Sequence, residues 1–181
     1  MERRVKLVLV SGAGKTTLAI PLARALDYAL ITKDILKESL YDTLGPSAGN
    51  GSPGDVAFSR KIGGAAMEAL WALAAKQNHA VLEANFRPYS DYERAKVSAL
   101  IAAGARVVEV YCRCPAQEAA RRFAARAAAP GHHPAHFAVG VSVESLKEFD
   151  KPFALSPVIE ADTTQAVDVA AIAAQVRALL D

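Results

Sequence analysis

The feature that most constrains this chain lies near its beginning, where an apolar run meets a glycine turn and a lysine. Residues 5–10 read VKLVLV, which predicts a buried strand. Residues 11–17 read SGAGKTT, and residues 18–26 carry apolar side chains at helical spacing. A strand, a glycine turn, Gly-Lys-Thr and a helix in this order predict a phosphate-binding P-loop at the edge of an α/β sheet.

Each part of this loop has an expected role. Lys15 is expected to reach the β- and γ-phosphates of a nucleotide, which also makes it a candidate catalytic residue. The Thr16 hydroxyl is expected to bind Mg²⁺, and the amides at the helix N-terminus attract anions. The predicted nucleotide-binding residues of the loop are Gly12, Ala13, Gly14, Lys15, Thr16 and Thr17.

The loop is shorter than the P-loop pattern requires. The pattern G-x-x-x-x-G-K-[ST] would place its first glycine at position 9, which is Leu9 in the predicted strand. If Gly12 is the first glycine, only Ala13 separates it from Gly14, and the missing residues correspond to about 10 Å of chain. Such a loop cannot wrap a β-phosphate in the usual way. Either the chain has lost loop residues or its P-loop is impaired.

Composition and charge limit the function classes. The 181 residues fit one domain, and 52% hydrophobic with 22% charged residues excludes a disordered chain. A net charge of +2 is too small to indicate nucleic acid. The apolar run after the basic start is too short for a signal peptide or a membrane span. Cys112 and Cys114 alternate along a predicted strand, so we expect no disulfide between them and a cytoplasmic protein with reduced thiols.

Short apolar runs alternate with helical patterns over the chain, which predicts a parallel sheet with helical crossovers. We expect one domain, residues 1–181, with a three-layer P-loop kinase fold, helices on both faces and the first strand in the centre. A capping box at residues 90–93 is expected to open the fourth helix. The five strands are predicted at residues 5–10, 29–32, 80–84, 106–112 and 158–161, and the main helices at 15–26, 34–42, 56–76, 90–104, 115–128 and 165–180.

Polar side chains follow the second and third predicted strands, at the sheet edge where ligands bind. Asp34 could accept a proton from a substrate hydroxyl that attacks a γ-phosphate, or it could serve as a helix N-cap. Glu83 could hold a Mg²⁺-bound water or a substrate hydroxyl, because an acid at the tip of an apolar strand is costly to bury unpaired. The alternative for Glu83 is a solvent-exposed carboxylate. Asn85 and Arg87 are further candidates for substrate contact.

A lid is predicted over residues 121–142. Arg122 and Arg126 lie four residues apart and share one helix face, either as a solvated face or as lid arginines. Lid arginines would neutralise charge on a transferring phosphoryl group, so Arg126 is a candidate catalytic residue and Arg122 a candidate nucleotide ligand. His132, His133 and His136 lack nearby cysteine or acidic co-ligands, which favours a mobile polar lid over a zinc site.

Several segments together resemble one known group, the small P-loop kinases of the AAA-type ATPases that include chloramphenicol phosphotransferase-like and zeta-toxin-like kinases. The resemblance implies ATP with Mg²⁺ as the phosphate donor, an acceptor that bears a hydroxyl, and Asp34 as the carboxylate that activates it. In that group the loop usually reads VSG-LPG-AGKTT, so the tripeptide LPG is missing here. In this architecture Thr163 is expected to lie near the adenine, and a helix-capping role is its alternative. The segments are VLVSG-AGKTTLA, ITKD at 31–34, VLEANF at 81–86, YCRCP at 111–115, the His-Pro stretch and VIEADT at 158–163.

These observations predict an ATP-dependent kinase that transfers a γ-phosphate to a hydroxyl of a small molecule such as an antibiotic, nucleoside or sugar. One alternative is a 5′-hydroxyl nucleic-acid kinase. The small net charge and the lack of an aromatic-basic stripe count against nucleic acid. A second alternative is a nucleotide-binding module with impaired turnover, for which the short loop is the evidence.

Overall fold

The computed structural model describes residues 5–52, 55–136 and 141–181. Helices separate consecutive strands along the chain, as predicted, and two of the main helices lie between the second and third strands. The strands are β1 (Lys6–Gly12), β2 (Ala29–Thr32), β3 (His79–Glu83), β4 (Arg106–Arg113) and β5 (Val158–Asp162). The helices are α1 (Lys15–Leu26), α2 (Lys33–Leu44), α3 (Val56–Ala74), α4 (Asp91–Ala102), α5 (Ala116–Ala127) and α6 (Val169–Leu180), with short 3₁₀ helices at Pro46–Ala48 and Ser145–Phe149.

The five strands form one parallel sheet in the order β2-β3-β1-β4-β5, which confirms the prediction of a central first strand. Val10 of β1 pairs with Glu83 of β3, and Gly12 pairs with Cys112 of β4. Because all strands are parallel, their carboxyl ends meet at one edge of the sheet. The glycine loop, Glu83 and the end of β4 therefore become neighbours.

Helices cover both faces of the sheet, so the architecture has the three predicted layers. Alternate residues of the central strands point to opposite faces. On one face Val8 and Val10 pack with α1 and α6, and on the other Leu7 and Leu9 pack with α3 and α4. The side chains that the helices bury in these two clusters include Leu18, Leu22, Ile172 and Val176 on the first face, and Leu70, Trp71 and Val97 on the second.

Several element boundaries differ from the predicted ones by one or more residues, and two of these differences have identifiable reasons. β1 extends to Gly12, beyond the predicted end at residue 10, because Gly12 stays paired with Cys112. α6 begins at Val169 and not at residue 165, because the Asp168 carboxylate caps it by accepting a hydrogen bond from the Ala171 amide at 3.0 Å.

The predicted capping box is only half formed. The Ser90 hydroxyl accepts from the Glu93 amide at 3.3 Å, as predicted. The Glu93 carboxylate, however, accepts from the Arg87 amide at 2.9 Å and so ties the preceding turn to α4. Cys112 and Cys114 are free thiols, the first buried and the second partly exposed. Within the described residues, no helix has the length and apolar character that crossing a membrane requires.

Candidate functional site

The turn between β1 and α1 is held against β4. Gly12 has φ of 85°, and a Cβ at this position would lie 2.2 Å from the carbonyl oxygen of Cys112. Only glycine fits such a close approach of two backbones. The Ala13 amide donates to the same carbonyl at 3.2 Å. One amide of the loop is therefore already hydrogen-bonded within the protein. The loop runs along β4 and does not form the arch that would enclose a phosphate.

Thr163 holds the other side of this turn. Its hydroxyl donates to the Ala13 carbonyl oxygen at 2.7 Å, and a Cβ on Gly14 would lie 3.0 Å from the Thr163 Cβ. Arg122 donates to the Thr163 carbonyl oxygen at 2.9 Å. The helix-capping interpretation of Thr163 is wrong, because Asp168 caps α6. Thr163 and Arg122, both predicted nucleotide ligands, lie beside the loop.

Lys15, Thr16 and Glu83 meet at the N-terminus of α1. The Lys15 Nζ lies 3.5 Å from Glu83 Oε1, and the Thr16 hydroxyl donates to the same oxygen at 3.1 Å. Glu83 is 1% exposed, so the alternative of a solvent-exposed carboxylate is wrong. Its other oxygen, Oε2, is buried without a hydrogen-bond partner in the described part of the chain. A buried acceptor without a partner is costly, which points to a ligand at this oxygen.

The residues at this point fit a magnesium–nucleotide group. A hydroxyl and a carboxylate are the hard oxygen ligands that Mg²⁺ prefers. The first-turn amides of α1 have no partner inside the helix and favour an anion, and Lys15 adds a positive charge. The fit is best at the helix end. It is poorer along the loop, where the Ala13 amide is already bonded to Cys112.

Asp34 lies in the first turn of α2, near the loop lysine. Thr32 occupies the N-cap position, so the N-cap interpretation of Asp34 is wrong. The Lys33 Nζ lies 3.3 Å from its carboxylate. Burial acts to raise the pKa of Asp34, but the positive charges of Lys33, Lys15 and His136 outweigh it and hold the pKa below its usual value. Asp34 is therefore an ionised acceptor at neutral pH.

A second basic group lies one helical turn further along α2. Lys37 is 7% exposed, and burial together with the charge of Lys33 lowers its pKa to about 8, against the opposing effects of Asp34 and Glu38. The His136 ring nitrogen Nε2 lies 2.9 Å from the Glu38 carboxylate. Burial keeps the pKa of His136 below its usual value in spite of this carboxylate. The surroundings of Asp34 thus combine charges of both signs.

The histidine stretch contacts α2 and α3. His133 Nε2 lies 3.1 Å from the Asp42 carboxylate, and the Ser59 hydroxyl donates to the Ala135 carbonyl oxygen at 2.7 Å. Over the described ranges, no three His, Cys, Asp or Glu side chains are grouped closely enough to hold a metal. Residues 137–140 of the predicted lid lie outside the described residues. The lid role of residues 121–142 stays a prediction.

A cavity of about 880 Å³ opens beside the loop, between α5 and residues 141–152. It brings together Asn85, Arg122, Arg126 and the loop residues, except that Thr16 faces away toward Glu83. Asp34 and Glu83 are not among the described residues that line this cavity. Arg87 lies on the surface, 3.6 Å from Glu148.

Sequence reasoning missed several cavity-lining side chains, including Tyr111, Arg113, Lys147 and Lys151. The two lysines belong to a segment that folds back over the sheet edge, and no local pattern in the sequence encodes that path. Tyr111 and Arg113 lie at the end of β4, where the parallel topology itself could have identified them as candidates.

A five-stranded parallel sheet of this order, with Gly-Lys-Thr at the start of α1, defines a P-loop kinase fold. Residues 7–151 match the family model of the AAA domain. The chain belongs to this family. A search of curated proteins finds no significant match.

Several solved structures that are similar to this chain are described as kinases. A candidate kinase from Chloroflexus aurantiacus j-10-fl is 25% identical, with a TM-score of 0.81 over 99% of this chain and 100% of that chain. A gluconokinase from Sinorhizobium meliloti 1021 is 20% identical, with a TM-score of 0.55 over 98% and 91% of the two chains. A shikimate kinase from Acinetobacter baumannii, in complex with shikimate, is 15% identical, with a TM-score of 0.54 over 97% and 92%. The last two similarities show the fold alone.

Proposed function

We propose that this protein is an ATP-dependent phosphotransferase that moves the γ-phosphate to a hydroxyl of a small molecule. The observation that carries the proposal is the meeting of Lys15, Thr16 and the unpartnered carboxylate oxygen of Glu83 at the N-terminus of α1. The similarity to a candidate kinase over the whole chain supports it. A small hydroxyl-bearing acceptor is proposed by analogy with the gluconokinase and the shikimate kinase.

The residues divide the proposed reaction between them. Bound Mg²⁺·ATP supplies the phosphoryl group and its activation. Thr16 and Glu83 would hold the metal, and Lys15 would neutralise the phosphate oxygens. Arg126, whose guanidinium stacks 5.3 Å from the Phe123 ring centre, would neutralise charge from the cavity wall.

The acceptor is proposed to approach from the Asp34 side of Lys15. Asp34 would accept the proton of the acceptor hydroxyl while the hydroxyl oxygen bonds to the γ-phosphorus, the bond from that phosphorus to the β–γ bridging oxygen breaks, and ADP leaves. Asn85 and Arg87 are proposed to contact the acceptor, and Arg122 and Thr163 to contact the nucleotide. A cytoplasmic location is proposed because Cys112 and Cys114 are unpaired thiols.

Changing Glu83→Gln tests the metal site. We expect wild-type protein to bind ATP more tightly with Mg²⁺ than without it, and the variant to lose this difference, because the amide is a poor Mg²⁺ ligand. Without Mg²⁺ the variant is expected to bind ATP at least as well as wild type, because Lys15 is freed from its carboxylate partner. Titration calorimetry with and without Mg²⁺ measures both effects.

Glu68→Gln is the matched control, since Glu68 is an exposed acid on α3 that pairs with Lys96. It is expected to behave as wild type. Retention of the full Mg²⁺ effect in Glu83→Gln would show that Glu83 does not hold the metal. The proposed function would then lose its main support.

The second candidate function is a nucleotide-binding module with impaired turnover. The hydrogen bond between the Ala13 amide and the Cys112 carbonyl favours it, because that amide is unavailable to a phosphate. The two candidates differ in turnover and in the strength of phosphate binding, and the length of the loop is the variable that separates them.

Inserting Leu-Pro-Gly between Gly12 and Ala13 is expected to tighten Mg²⁺·ATP binding by about tenfold or more. The longer loop would release the Ala13 amide from Cys112, and each hydrogen bond to a charged group is worth about 1.5–3 kcal/mol. Calorimetry measures the affinity. Insertion of Gly-Gly-Gly at the same point is the control, because it adds the same length of chain without the Leu-Pro sequence. A folded Leu-Pro-Gly variant without any gain would show that loop length does not limit phosphate binding.

A further inference from the structure

Glu109 is a buried carboxylate that the proposed reaction does not use. It lies in the middle of β4 between two fully buried valines, and it is itself 1% exposed. Burial raises the pKa of Glu109, against the effect of the hydrogen bonds it accepts. A carboxyl group in such a position is costly unless its partners compensate, so its partners indicate what it does.

Three donors converge on this carboxylate. The Phe153 amide donates to Oε1 at 3.1 Å, and the Ala154 amide donates to Oε2 at 3.2 Å. The Ser11 hydroxyl reaches Oε1 at 3.4 Å. Ser11 immediately precedes Gly12 of the loop. Glu109 therefore joins a segment that folds over the sheet edge to the strand that carries the phosphate loop.

We call that segment, residues 149–154, the strap. Four of its residues line the cavity, so the strap forms one wall of it. Two further hydrogen bonds hold the strap. The Tyr111 hydroxyl donates to the Phe149 carbonyl oxygen at 3.1 Å, and Arg94 donates to the Phe153 carbonyl oxygen at 3.0 Å. The cavity-lining strap residues are Phe149, Asp150, Lys151 and Pro152.

Phe153 makes several of the contacts that hold the strap. Its amide is bound by Glu109, its carbonyl by Arg94, and its ring packs 5.7 Å from the ring of Phe86 in the core. The next residue, Ala154, has φ of 53°, a conformation that a non-glycine residue adopts only when its surroundings hold it. The Glu109 bonds to both amides provide such a hold.

We propose that Glu109 is a positioning residue, which fixes the strap as a wall of the cavity and connects that wall to the phosphate loop through Ser11. The inference rests on the proposed function only for the identity of the ligand, Mg²⁺·ATP. The anchoring itself is a property of the free protein. The two parts can therefore be measured separately.

Glu109→Gln tests the anchoring by site-resolved amide exchange in the free protein. The amide nitrogen of glutamine would face a backbone donor, so at least one bond is lost. We expect the Phe153 and Ala154 amides to exchange at least about tenfold faster than in wild type, because local opening becomes easier. The Val176 amide of α6 and all amides of the Glu68→Gln control are expected to keep wild-type rates. Mg²⁺·ATP binding is expected to weaken severalfold in Glu109→Gln alone.

Unchanged exchange at Phe153 and Ala154 would overturn the proposal. So would equal acceleration at Val176, which would make Glu109 a support of the whole fold, and so would faster strap exchange with wild-type ATP affinity. If Glu109→Gln does not fold, Glu109→Asp decides by the same outcomes, because it keeps the charge and withdraws the oxygens by one methylene. Absence of ATP binding by wild type would contradict the proposed function, and the exchange rates would still decide the anchoring.

Discussion

Replacing Asp34 with Asn is expected to lower phosphoryl transfer to the acceptor by a factor of about 10² to 10⁴, the usual worth of general-base assistance. The substitution keeps the size of the side chain and removes the charge that is proposed to accept the proton. ATP affinity is expected to stay nearly unchanged, because the Asp34 carboxylate pairs with Lys33 and not with a residue of the loop. Single-turnover transfer and calorimetry measure the two quantities.

Asp34→Asn separates a loss of rate from a loss of stability. Thr32 holds the N-cap position of α2, so Asp34→Asn removes no helix cap and the melting temperature is expected to change little. Asp42→Asn is the control, because Asp42 lies on the same helix and its carboxylate pairs with His133 of the histidine stretch. Full turnover in Asp34→Asn, or a loss of stability as large as the loss of rate, would show that Asp34 is not the base.

The sheet was predictable because its signals are local. Apolar runs of four to eight residues, separated by helical patterns, favour a parallel sheet whichever apolar residues make up the runs. All five strands lie where the sequence places them, within two residues at their ends, and β1 is central. The meeting of Lys15, Thr16 and Glu83 follows from the same topology, since β1 and β3 are adjacent and end at one edge.

The parts of the site that escaped prediction depend on distant partners. The sequence shows that the loop is short, but not that its Ala13 amide turns to Cys112, about a hundred positions away. Glu109 reads as an isolated acid in an apolar strand, and its donors, Phe153 and Ala154, are more than forty residues further on. Local patterns carry no information about such pairings, which arise only when the chain folds back on the sheet.

Lys15→Ala is expected to weaken Mg²⁺·ATP binding by a few kcal/mol, because a charge-assisted hydrogen bond to phosphate is worth about 1.5–3 kcal/mol. In an ordinary P-loop several amides share this task. Here the Ala13 amide is bonded to Cys112, so Lys15 is expected to carry a larger share. Lys96→Ala, which removes a partly exposed lysine from α4, is the control for loss of charge. Equal ATP affinity of Lys15→Ala and wild type would reject Lys15 as the phosphate ligand.

The size of the Lys15 effect should depend on loop length. If the shortened loop places the phosphate mainly on Lys15, the same Lys15→Ala change in the Leu-Pro-Gly insertion variant is expected to cost less, because the added and released amides share the charge. The difference between the two losses is the coupling energy of a double-mutant cycle. Residues in direct contact with a shared ligand are expected to couple by about 0.5–3 kcal/mol. Equal losses in both backgrounds would mean that the loop amides and Lys15 act on phosphate independently, and that the short loop costs affinity without shifting it onto the lysine.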